Sequence, residues 1–124
     1  MSATLTIDFV SDVSCPWCAI GLSALEQALA RVAPEITAKV QVQPFELNPN
    51  MPAGGQDITE HLTQKYGSTA QQQSAIRETI RQRGAELGFT FRVQGRDRIY
   101  NTFDAHRLLH WAKYTGRPGA QYAL

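Results

Sequence analysis

The stretch Ser14-Cys15-Pro16-Trp17-Cys18 contains both cysteines of the 124-residue sequence. It follows residues 4–10, where apolar and polar side chains alternate as in a β-strand, and it precedes a run with helical periodicity. Proline has a fixed φ and no N–H group, so it suits the first position of a helix. The sequence therefore predicts that Cys15 caps a helix running from Pro16 to about Val32, with Leu22, Leu25, Leu29 and Val32 on its buried face.

Two cysteines at this spacing can join across one helical turn, which is typical of a redox pair when a β-α-β pattern surrounds them. The first N–H groups of a helix lack intrahelical partners and carry the positive end of the helix dipole, so they would stabilise a thiolate on Cys15. We expect Cys15 to be the exposed nucleophile and Cys18 to be the resolving thiol that closes the Cys15–Cys18 disulfide. Pro16 and Trp17 would tune the redox properties of this pair. The alternatives are a structural disulfide or two inert buried thiols.

A second strand is predicted over residues 36–47, where apolar residues again alternate with polar ones. A strand, a helix and a strand in this order predict two parallel strands joined by a right-handed crossover. The cysteines would then lie at the C-terminal end of the first strand, where open α/β sheets place their sites.

The sequence after residue 48 is turn-rich at first and then helical in pattern. Three further helices are expected, from Asp57 to Gly67, from Ser68, paired with Gln71, to Gly88, and from Asn101 or Thr102 to Gly116.

Composition and charge are those of one ordinary soluble domain, with 43% hydrophobic residues, 19% charged residues and a net charge of +1. No apolar run approaches the ~20 residues of a membrane span, so no membrane partner is expected. The first thirteen residues have a strand pattern without Lys or Arg, unlike a signal peptide, so we expect a cytoplasmic protein. Basic residues are concentrated in the second half, but they are scattered and no recognition motif accompanies them. No nucleic-acid partner is therefore expected.

Four other polar residues are candidates for roles near the thiols. Asp8 and Asp12 precede the cysteines and are candidate proton carriers by position alone. His106 and His110 lie four residues apart, a spacing that can bind a metal, but a histidine on a helix face is more often structural. We therefore expect no metal site.

Beyond the cysteine motif, several short motifs resemble the DsbA-type branch of the thioredoxin superfamily and, within it, the FrnE-like proteins. They occur in the family's order and together span nearly the whole chain. They are Asp8-Phe9-Val10, Cys15-Pro16-Trp17-Cys18-Ala19-Ile20-Gly21, Pro44-Phe45-Glu46-Leu47-Asn48-Pro49, Lys65-Tyr66-Gly67, and Asn101-Thr102 with Ala105-His106-Arg107-Leu108.

The resemblance implies an α/β, thioredoxin-like fold with a helical insertion between its two halves. Residues 1–48 would form the β-α-β part and residues 49–124 the insertion, incomplete at its end, while the C-terminal β-β-α half and its cis-proline would be lacking. A lone β-α-β part would expose a strand edge, so a homo-oligomer through that edge is expected. Because the insertion packs over the active site in relatives, His106 would line a substrate groove.

The resemblance also implies an enzyme, a protein disulfide oxidoreductase or isomerase acting through Cys15 and Cys18. Its partner would be a thiol or disulfide substrate, either a protein or a small molecule. No cofactor is expected, although glutathione is a conceivable thiol co-substrate. A neighbouring branch, the 2-hydroxychromene-2-carboxylate isomerases, uses glutathione but usually carries serine where Cys15 stands. A glutathione-dependent small-molecule isomerase and an inactive, self-associating fragment are therefore the alternative hypotheses.

Overall fold

Two parallel strands and the helix between them carry the cysteine motif. The computed structural model describes residues 2–92 and 94–116. Strand β1 (Ala3–Ser11) pairs in parallel with β2 (Ile36–Pro44), and helix α1 (Pro16–Val32) connects them. The predicted β-α-β order and both ends of the helix are confirmed. The second strand is shorter than predicted because β1 ends at Ser11, whose carbonyl accepts the Phe45 N–H at 3.0 Å as the chain leaves the pair.

The apolar side of α1 is only partly covered. Leu22, Leu25 and Leu29 are half-buried, whereas Val32 is 39% exposed. The predicted buried stripe is therefore only half-buried at the three leucines and exposed at Val32. A sheet of two strands is too narrow to cover every turn of a 17-residue helix.

Residues 50–101 form a second compact unit that contains two helices and a short pair of strands. Its elements are β3 (Gln56–Asp57), α2 (Ile58–Tyr66), α3 (Ala70–Glu86) and β4 (Arg98–Ile99), and β3 pairs with β4 in antiparallel fashion. The sequence did not predict these two-residue strands, because so short a segment carries no alternating pattern.

The N-termini of α2 and α3 are capped by side-chain hydrogen bonds. Asp57 accepts the Glu60 N–H at 2.9 Å, which confirms the predicted cap of α2. At α3, Thr69 accepts the Gln72 N–H at 3.1 Å, and the Gln72 side chain accepts the Thr69 N–H at 2.9 Å. The capping box of α3 thus lies one residue after the predicted start at Ser68.

The side chain of Gln73 lies at the centre of the second unit and is 2% exposed. Its amide nitrogen is within 3.1–3.3 Å of four oxygens, the carbonyls of Thr59 and Ser68 and the hydroxyls of Thr63 and Ser68. A buried polar side chain therefore ties α3 to α2 and to the turn between them.

The last described helix, α4 (Phe103–Tyr114), follows Thr102, which confirms the expected cap position. The residues up to Pro49 and those from Thr102 onward form the first compact unit, and Asn50–Asn101 form the second. The boundary predicted at residue 48 stays a prediction, and the predicted end of the chain lies outside the described residues. None of the described helices combines the length and apolar character needed to cross a membrane.

Candidate active site

Cys15 lies at the N-terminus of α1, where the sequence placed it. Its backbone is extended, with φ −89° and ψ 113°, and Pro16 takes the first helical position. The Cys15 carbonyl accepts the N–H groups of Cys18 at 3.1 Å and Ala19 at 3.3 Å, so the helix begins directly at this residue. The Cys15 side chain makes no capping hydrogen bond in the described structure, which leaves its sulfur available for other contacts.

The two cysteines are both half-buried free thiols. Burial raises the pKa of the Cys18 thiol, and the Cys15 thiol and the Asp12 carboxylate raise it further. A backbone hydrogen bond from Asp12 acts in the opposite direction but does not outweigh them. Cys18 therefore keeps its proton more firmly than an isolated cysteine.

Asp12 is the buried polar centre of the first unit, with 3% of its surface exposed. One carboxylate oxygen, Oδ2, accepts the Leu47 N–H at 2.9 Å, and the other, Oδ1, accepts the Ser14 N–H at 3.3 Å. The Thr102 hydroxyl and the His106 imidazole complete the set, with His106 Nε2 lying 3.2 Å from Oδ1. A single carboxylate thus joins the turn before Cys15, the segment after β2 and the start of α4.

The hydrogen bonds that the Asp12 carboxylate accepts lower the pKa of this side chain. Burial alone raises the pKa of Asp12, but the hydrogen bonds from Leu47, Thr102, Ser14 and His106 together lower it below the ordinary value of 3.8. These donors favour the ionised carboxylate because they would lose their acceptor on protonation. Asp12 is therefore a carboxylate at neutral pH.

Acid unfolding should report this lowered pKa. Because the folded chain binds a proton at Asp12 less readily than the unfolded chain, the stabilisation is fully present above about pH 4 and is lost as the pH falls through the folded value. Asp12→Asn should remove this part of the acid sensitivity, measured as the free energy of unfolding between pH 2 and 6. Asp8→Asn is the matched control, since Asp8 is exposed and accepts one hydrogen bond, from Gln43 Nε2 at 3.0 Å. Equal acid slopes for the two variants would contradict the assignment.

His106 is 8% exposed and lies in α4 with its ring against Asp12. The carboxylate can only accept, so Nε2 carries the hydrogen of this bond. The sequence singled out His106 as a groove residue, and that role stays a prediction. It did not predict the pairing with Asp12, because 94 positions separate the two residues and no local pattern connects them.

Several large apolar side chains of the first unit are exposed. Trp17 is 47% exposed, and Val13 in the preceding turn and Phe45 after β2 are 36% and 52% exposed. Among the described residues, no cluster of three or more His, Cys, Asp or Glu side chains is arranged to hold a metal ion.

The chain is similar to a known protein family and to a solved structure. Residues 6–123 match the sequence profile of the DSBA-like thioredoxin domain. Among solved structures, the crystal structure of a probable DsbA oxidoreductase from Streptomyces coelicolor is similar, with a TM-score of 0.81 and 36% identity over 90% of this chain. The match covers 48% of the Streptomyces chain, so the present chain spans about half the length of that protein. No curated protein matches the sequence significantly.

These findings confirm the expected α/β, thioredoxin-like fold and the DsbA-type resemblance. The family profile covers nearly the whole sequence, from the first strand onward. The chain therefore belongs to the DSBA-like thioredoxin domain family.

Proposed function

We propose that the chain is a thiol-disulfide oxidoreductase of the FrnE-like type, acting through Cys15 and Cys18. The observation that carries the proposal is the pair of free, half-buried thiols at the N-terminus of α1, with Cys15 at the cap position and Cys18 in the first turn. Family membership supports disulfide chemistry in general, as does the name of the Streptomyces relative, a probable DsbA oxidoreductase.

The proposed reaction begins when the Cys15 thiolate attacks one sulfur of a substrate disulfide. A Cys15–substrate disulfide forms, and the other substrate sulfur leaves as a thiolate, which takes up a proton. Cys18 then loses its proton and attacks the Cys15 sulfur, so the second substrate sulfur leaves in its turn. The substrate gains two electrons and the cysteine pair is oxidised to a disulfide. A thiol such as glutathione returns the pair to its reduced form, and the same steps in reverse oxidise a dithiol substrate.

The protein's contribution to these steps is electrostatic and geometric. The N-terminus of α1, which is the positive end of its helix dipole, lies at Cys15 and favours negative charge on sulfur there. Cys18 lies in the first turn of α1, three residues after Cys15, a spacing that keeps it within reach of the mixed disulfide. Exposed Trp17 offers an apolar surface to a substrate next to the nucleophile. No metal or nucleotide enters the proposed reaction.

The direct test is the reduction of insulin disulfides by the 124-residue chain in the presence of glutathione or dithiothreitol. We expect the chain to accelerate precipitation of the insulin B chain well above the rate with the small thiol alone. A rate equal to that of the small thiol would overturn the proposal. Saturable glutathione binding with turnover of a small carbonyl compound, both unaffected by Cys18→Ser, would instead favour the isomerase alternative. The cysteine at position 15 weighs against that outcome.

We also propose that the chain corresponds to the N-terminal half of a FrnE-like protein and that it self-associates. Two strands make a marginal sheet, and Leu5 and Val10 on β1 are 46% and 58% exposed. Sedimentation velocity between about 1 and 100 µM should therefore show a fraction of dimer that increases with concentration. Val10→Lys should raise the dissociation constant of the dimer at least about tenfold, since a charge on a strand edge opposes pairing. A monomer at every concentration would contradict this proposal. The cytoplasmic location stays a prediction.

A further inference from the structure

The proposed exchange reaction leaves the buried pair of Asp12 and His106 without a role. Their side chains are 1% and 8% exposed, respectively, and the contact between Asp12 Oδ1 and His106 Nε2 measures 3.2 Å. The same Oδ1 atom accepts the Ser14 N–H at 3.3 Å. A movement of the His106 ring would therefore disturb the residue directly before the nucleophile.

The backbone of Asp12 is also bonded to both cysteines. Its carbonyl accepts the Cys15 N–H at 3.1 Å, and a backbone hydrogen bond links Asp12 to the Cys18 thiol. The Asp12 carboxylate therefore belongs to the residue whose carbonyl holds the backbone of Cys15. A change in how this carboxylate is held will therefore act on the turn that carries Cys15.

Among the described residues, the ionisable groups that act on Cys18 are Cys15, at the start of α1, and Asp12, in the turn before it. Asp12 in turn faces His106 of α4. A fixed negative charge beside a thiol favours its protonated form, and a protonated Cys18 can donate its hydrogen to a Cys15 thiolate.

We infer that Asp12 and His106 are a positioning pair for the two thiols: His106 holds the Asp12 carboxylate, which fixes the turn before Cys15 and keeps Cys18 protonated until a mixed disulfide has formed on Cys15. The inference rests on the proposed function for its consequence in catalysis. The arrangement itself can be tested without any substrate.

The first measurement is the rate of alkylation of Cys18 by iodoacetamide as a function of pH, in a Cys15→Ser background. Adding Asp12→Asn removes the negative charge, so the pH profile should move to lower pH and the rate at pH 7.5 should rise about fivefold. Asp8→Asn in the same background removes an exposed carboxylate from β1 and should leave the profile within about twofold of the parent.

The second measurement concerns His106. Glutamine carries an N–H donor at a similar distance from the backbone, whereas leucine carries none. His106→Gln should therefore keep most of the rate of insulin reduction, and His106→Leu should lower it at least about tenfold. His110→Gln and His110→Leu are matched controls on the same helix, where His110 is exposed and its ring packs against Tyr114. Both His110 variants should reduce insulin at the rate of the unmodified chain.

The inference is overturned if Asp12→Asn and Asp8→Asn give the same pH profile of Cys18 alkylation. It is also overturned if His106→Leu and His106→Gln reduce insulin at equal rates. If Asp12→Asn fails to fold, as seen by circular dichroism, the comparison at His106 decides. If the unmodified chain shows no exchange, the proposed function fails. The His106 variants are then compared by the pH profile of Cys18 alkylation, which requires no turnover.

Discussion

Cys15→Ser is expected to lower insulin reduction by the chain at least about a thousandfold, to the rate of the small thiol alone. A serine hydroxyl does not ionise at neutral pH and cannot form a disulfide, so the first step of the exchange is lost. Cys18 cannot replace it, because burial, the largest influence on Cys18, still raises its pKa in this variant and only a small fraction would be ionised. The substitution exchanges one atom of a half-buried side chain, so circular dichroism should show an unchanged fold.

Cys18→Ser is the matched control, since it changes the same atom one turn further along α1. The Cys15 thiolate can still attack, but the mixed disulfide cannot be resolved from within the protein. Turnover should fall, and a covalent adduct with a disulfide substrate should accumulate and be visible by mass spectrometry of the intact protein. An adduct that forms on Cys18 in the Cys15→Ser variant, and none in Cys18→Ser, would reverse the two roles.

The part of the fold that could be predicted is the part encoded by local patterns. Residues 4–10 alternate and Pro16 starts a helix by removing an N–H group that would have no partner, so β1 and α1 were found with nearly correct ends. Asp57 and Gly67 marked both ends of α2 in the same way. At α3 two adjacent residues, Ser68 and Thr69, have hydroxyls that can cap a helix, and the sequence offers no local rule for choosing between them.

The part that could not be predicted depends on contacts between distant residues. Asp12 looked like one of two acidic residues near the thiols, equal in rank to Asp8. Its hydrogen bonds come from Leu47, Thr102 and His106, far along the chain, and from Ser14 beside it. The sequence motif identifies the two cysteines but not the buried carboxylate near them. Only part of the candidate site could therefore be predicted, because the cysteines lie in a local motif whereas the partners of Asp12 come together only when the chain folds.

The same distinction applies to Gly55, where the sequence shows only one of two glycines in a turn-rich segment. The structure gives Gly55 a φ of +73° and places it against the backbone of β4, so an added Cβ would overlap the Ile99 carbonyl and lie 2.9 Å from Tyr100 Cδ1. Neither a left-handed φ nor a backbone overlap can be relieved by a side-chain rotation. Gly54, its neighbour, has no atom within 4 Å of the corresponding position.

Gly55→Ala is therefore expected to destabilise the second unit by about 3 kcal/mol, of which about 1 kcal/mol is the cost of a left-handed alanine and the rest is overpacking. Two controls separate these contributions. Gly67→Ala introduces the strained backbone alone, since Gly67 has a φ of +67° and open space around it, and should cost about 1 kcal/mol. Gly54→Ala introduces neither and should stay within about 0.5 kcal/mol of the parent. Urea unfolding followed by circular dichroism measures all three. A Gly55→Ala variant no less stable than Gly67→Ala would show that β4 moves aside, and that the pairing of Gln56 with Ile99 does not constrain this turn.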